Sequence, residues 1–124
     1  MLTEKDYCDY NTCVALKELG YPLTSKEVRY EDKAVFVPSV LLYTVQKWLR
    51  EEEGMLVDSM VFADNSIDAD GKVVDRWIYY SCAILNTSTA EFIRSYDQSD
   101  EYDTYEEALL EGIKEAVKIL KEEK

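Results

Sequence analysis

The run from Val73 to Leu85, VVDRWIYYSCAIL, constrains the fold more than any other part of the chain. It is dense in β-branched and aromatic side chains, which fit the pleated surface of a strand. Side chains alternate across a strand, and here both sets are apolar. Val74, Ile78, Tyr80, Cys82 and Ile84 point one way; Val73, Trp77, Tyr79, Ala83 and Leu85 point the other. In a chain of 124 residues helices have room to cover one sheet face. The aliphatic set is the better core surface, which leaves Trp77 and Tyr79 on the second face. Two large aromatics on an open face imply a partner, and a second copy of the same chain is a frequent one. The alternative is that loops or the first helix fold over them.

Other strands gather around this one. Leu56 to Ala63 is β-like, and Asp70-Gly71 is a hairpin dipeptide between it and the long run. Ala90 to Tyr96 is a weaker strand after the polar turn Asn86-Thr87-Ser88-Thr89. Val28 to Tyr30 and Ala34 to Val37 flank Glu31-Asp32-Lys33 as a short hairpin. Three helices complete the pattern. The first is expected to start at Thr3, with Asp6 in the capping-box position, and to stop at Leu19 before Gly20, with Tyr21 packing back on Leu16. The second follows Pro38, with Ser39 as N-cap and Gly54 as its end; Leu41, Leu42, Val45, Trp48 and Leu49 form its inward stripe. The third opens on Thr104-Tyr105-Glu106-Glu107, a capping box, and buries Leu109, Ile113, Ala116, Val117 and Leu120. Trp48, Leu49, Ile113 and Val117 are the expected core anchors. The order α-β-β-α-β-β-β-α predicts a single α+β domain over residues 1–124. Its sheet is an antiparallel meander with the three helices mainly on one face.

Charge narrows the partners. The chain holds 26 Asp and Glu against 14 Lys and Arg, a net charge of -12. Residues 51–70 carry seven acids and no base, and residues 97–107 carry six acids and no base. A field of that sign repels phosphate backbones and anionic membrane surfaces, so neither direct nucleic-acid binding nor membrane binding is expected. The tract Tyr96 to Tyr105 interleaves aromatics with acids, and Tyr102 and Tyr105 join Trp77 and Tyr79 as candidate partner-binding residues. The alternative for that tract is a solvated connector.

The chemistry of familiar enzymes is missing. The chain has no histidine, which removes Ser-His and Cys-His nucleophile pairs and histidine metal sites. No Gly-rich phosphate-binding sequence is present. Asp64 to Gly71 resembles a calcium loop, with Ser66, Asp68 and Asp70 at positions one, three and five. Its twelfth position is Trp77, where a bidentate Glu is needed. No metal, cofactor or catalytic residue is expected, and the protein is not read as an enzyme. Cys8, Cys13 and Cys82 have no C-x-x-C spacing and read as thiols of a reducing compartment. No signal peptide or membrane-length apolar run is apparent, so a cytoplasmic location is expected.

Lys47-Trp48-Leu49-Arg50-Glu51, Tyr102 to Ala108 and, more weakly, Leu16 to Tyr21 carry a resemblance. In these segments the chain is similar to a group of small uncharacterised proteins of gut anaerobes and their phages or mobile elements. The likeness covers most of the chain, and it implies no activity, ligand or site residue. The functional expectation is a non-catalytic protein-binding or assembly module, accessory to a phage or mobile element. Its partner is either an unknown protein or another copy of the chain. The alternative is an acidic decoy that mimics nucleic acid and blocks a basic protein; it requires carboxylates arrayed along one surface.

Overall fold

The computed structural model describes residues 7–22, 28–31, 35–38, 41–97 and 100–123. Along the chain run α1 (Tyr10–Glu18), β1 (Val28–Glu31), β2 (Val35–Pro38) and α2 (Leu42–Glu52). Then come β3 (Met55–Ile67), β4 (Val73–Asn86), β5 (Glu91–Arg94) and α3 (Tyr105–Glu123). This is the expected α+β order. The described strands form two sheets: an antiparallel β1–β2 pair and an antiparallel meander β3-β4-β5.

Local chemistry sets the helix ends. Before α1, Tyr7 bridges to Leu41 and Asp9 is extended, so the helix starts at Tyr10 and not near Glu4. Asp9 is the N-cap, its carboxylate accepting the Thr12 N–H at 2.8 Å. The expected cap at Thr3 and Asp6 lies outside the described residues, as does Ser39; α2 takes extended Leu41 as its N-cap in place of Ser39 and starts at Leu42, so Leu41 is not part of the helix. Gly20 (φ +98°) ends α1: the Gly20 N–H donates to the Lys17 carbonyl and the Tyr21 N–H to the Leu16 carbonyl. Tyr21 is buried with Leu16 in the core. At α3, Thr104 Oγ1 accepts the Glu107 N–H at 3.1 Å, and the Glu107 carboxylate accepts the Asp103 N–H at 3.3 Å.

Register divides the large sheet into two faces. Val57 pairs with Ile84, Ser59 with Cys82, Val61 with Tyr80 and Ala63 with Ile78 on one; Asp58 pairs with Ala83, Met60 with Ser81, Phe62 with Tyr79 and Asp64 with Trp77 on the other. Helices α2 and α3 lie on the first face, and α1 packs on α3. Leu42, Val45 and Leu49 of α2 meet Leu109, Ile113 and Leu120 of α3 over Val57 and Ile84. Trp48 departs from expectation: it is half-buried, its ring edge-on to Tyr21 at 5.3 Å on the rim of the core.

Candidate protein interaction surface

The long strand outruns everything packed against it. Strand β5 pairs with β4 only at Ile84–Asn86, and Tyr102 bridges to Tyr80 alone. From Val61 and Tyr79 outward, β3 and β4 therefore continue as a two-stranded arm. Val74 and Ile78, expected in the core, are 62% and 61% exposed. The parity reading was right for Cys82 and Ile84, which are buried. It fails further out because the helices stop short of the arm. Val61 and Trp77 are also exposed, at 51% and 39%. Small Ala63 leaves a cleft of about 370 Å³ on the arm, lined with Asp64, Asn65, Arg76, Trp77 and Ile78.

On the second face the two expected contact residues part company. Trp77 is exposed on the arm, whereas Tyr79 is only 6% exposed. Its ring stacks on Phe62 at 5.5 Å, and Tyr96 meets Phe62 edge-on at 6.3 Å. Next along β4, Ser81 Oγ donates to Asp100 at 3.3 Å and accepts the Asp97 N–H at 3.0 Å. The segment after β5 thus folds over this part of the sheet, and Tyr79 is a core residue of one chain.

Tyr102 and Tyr105 are half-buried and occupied within the molecule. Tyr102 exchanges backbone hydrogen bonds with Tyr80, N···O 2.9 and 3.1 Å. Tyr105 donates its hydroxyl to Asp58 at 3.1 Å, with its ring edge-on to Tyr80. Tyr96 turns to the same carboxylate; burial and the Asp58 charge push its hydroxyl up to about 12. Burial, then Asp58, also raises Tyr105. Arg94, not singled out from sequence, ties the arrangement down. Its guanidinium is paired with Asp100 and with Glu115 of α3. Burial opposes that charge, but the two carboxylates outweigh it and hold the guanidinium protonated. The signal for Arg94 was present: it is the nearest base before the acidic tract 97–107.

The acids of the arm have structural work. Asp68 Oδ1 accepts the N–H groups of Asp70 and Lys72 at 2.9 and 3.0 Å, and Gly71 takes the left-handed conformation (φ +81°). The calcium-like sequence is therefore a hairpin turn built around Asp68. Among the described residues no group of three or more Cys, Asp or Glu is placed to hold a metal ion. Three further aspartates lie on the open edges of the hairpin. Asp58, Asp64 and Asp75 each accept the N–H of the following residue, at 2.8, 2.8 and 2.9 Å. Those amides, of Ser59, Asn65 and Arg76, point away from the β3–β4 ladder, so each carboxylate caps a donor that would otherwise invite another strand. On the β3 edge Gln46 of α2 also donates to the Val57 carbonyl at 2.7 Å. Sequence reasoning missed this pattern because the outward parity is fixed only by the partner strand. No family model matches the chain, and neither a curated protein nor a solved structure matches it.

Proposed function

We infer that this protein is a non-catalytic binding or assembly module that works in the cytoplasm and engages a partner through its β3–β4 arm. The observation that carries the reading is the arm itself. It places Val61, Val74, Trp77 and Ile78 in water on both faces of a two-stranded ribbon, beyond the reach of the helices. Apolar surface of this kind in a folded chain marks a contact site. An accessory role in a phage or mobile element is the setting that the resemblance suggests. The decoy reading draws less support. Asp58, Asp68 and Asp100 are engaged by tyrosine, backbone and arginine, and the acids of residues 51–70 are divided among the end of α2, Asp58 in the body of the sheet and the arm.

Capture from host extract tests the reading, comparing wild type with a Trp77→Ser, Ile78→Ser double variant. The variant should keep its circular dichroism and melting temperature, while Tyr79→Ser, a core change, should lose both. Proteins, or further copies of the chain, held by wild type and lost from the double variant support the arm as the contact. Identical retention by both would overturn it.

A further inference from the structure

The β3 edge carries a gap of a particular size. Tyr80 turns its N–H and C=O away from β3, toward Tyr102. Its partner Val61 therefore turns its own away from β4, and Ala63, two residues on, does the same. Aspartate caps the amide on either side, at Ser59 and at Asn65. Among the described residues nothing pairs with the backbone of Val61 or Ala63. The edge thus presents two successive outward-turned residues, Val61 and Ala63, open between two closed donors.

We propose that this gap is a self-pairing edge: two copies join antiparallel across a two-fold axis at Phe62. This rests on the arm being a contact surface and names its occupant as a second copy. The register is self-complementary. Val61 of one copy exchanges two hydrogen bonds with Ala63 of the other, and Ala63 with Val61, four bonds in all. Phe62 then faces Phe62, and Met60 faces Asp64. No charge lies directly opposite a like charge, since Asp64 meets a methionine. The result is a six-stranded sheet, β5-β4-β3-β3-β4-β5, closed by an isologous contact. An edge of about seven residues covers less than the ~800 Å² per partner of a standard interface, so the dimer forms reversibly. Both copies carry -12, so added salt tightens it by screening.

Cysteine pairing tests the register. Residues 60 and 64 face each other across the axis as a non-hydrogen-bonded pair, about 4.5 Å between Cα atoms, within disulfide reach. Met60→Cys and Asp64→Cys proteins, mixed and mildly oxidised, should cross-link to each other, and neither to itself. Sedimentation equilibrium of the unmodified chain should show a dimer strengthened by salt. Ala63→Pro, which removes an outward N–H and spares the β3–β4 ladder, should raise its dissociation constant at least ~tenfold, two bonds being lost. A strict monomer at ~1 mM overturns the proposal. So does a dimer whose cross-links run through Trp77 or join like positions; that result keeps the arm as the contact surface while removing the edge.

Discussion

Gly112 shows how closely single residues fix this fold. A Cβ there would lie 2.7 Å from Val57 Cγ1 and 3.2 Å from Cys82 Cβ, so α3 sits on the sheet at glycine distance. Alanine favours a helix interior over glycine by about 1 kcal/mol. Overpacking costs typically ~1–3 kcal/mol, and Val57 is fully buried and stiff at χ1. The clash should win, and Gly112→Ala should lower the urea midpoint, a net loss of up to ~2 kcal/mol in unfolding free energy. Adding Val57→Ala should recover part of the loss through direct coupling. A midpoint at or above wild type would mean that the helix rides higher on the sheet. Sequence offered no hint of this, because a glycine inside a helical stripe marks close approach only once its neighbours are known. Leu49, Ile113 and Val117 were legible: their spacing alone placed them inside, and they are buried.

Among the elements, those defined by local chemistry were readable and those defined by competition were not. Thr104 and Glu107 announced α3 because both ends of that interaction lie within one turn. The start of α1 was misplaced: Tyr7 pairs with Leu41, 34 residues away, and Asp9 then takes the cap. Asp9 also meets Lys114 of α3 at 3.2 Å. Burial opposes the charged carboxylate, yet the Thr12 hydrogen bonds and Lys114 outweigh it and hold Asp9 below its ordinary value. A carboxyl lowered on folding stabilises the fold fully above its unfolded pKa of about 4 and loses that contribution as pH falls below it. Asp9→Ala should therefore cost about 1 kcal/mol near pH 7. Asp9→Asn keeps the cap acceptor but not the charge, so its gap from wild type should shrink between pH 5 and 3, a range set by the ordinary Asp value. Thermal melts across that range check both. A gap that stays constant with pH would show that the Asp9 charge contributes nothing to folding.

At the scale of the whole molecule, the two apolar parities of Val73–Leu85 were visible in sequence, but their division along the strand was not. That division depends on β5 being four residues long and on α3 first meeting the sheet with Tyr105 beside Tyr80, and local propensity dictates neither that strand length nor that docking. The inner half is sandwiched between α2 and α3 on one face and Tyr96, Asp97 and Asp100 on the other. The outer half is a ribbon of two strands, and such a ribbon alone is marginal in water. The body and the arm should consequently open with different free energies. The inward-turned amides of Asp64 and Trp77 belong to the arm, and those of Asp58 and Ala83 to the body, all four in the same β3–β4 ladder. Hydrogen exchange on dilute protein, where copies do not associate, should find the arm pair at least ~tenfold less protected, a difference of ~1.4 kcal/mol in opening free energy. Raising the protein concentration should then slow the arm amides selectively if the edge pairs with a second copy, because bound strands open less often. Equal protection of all four amides at every concentration would mean that arm and body unfold as one unit, and that the ribbon draws its stability from the body.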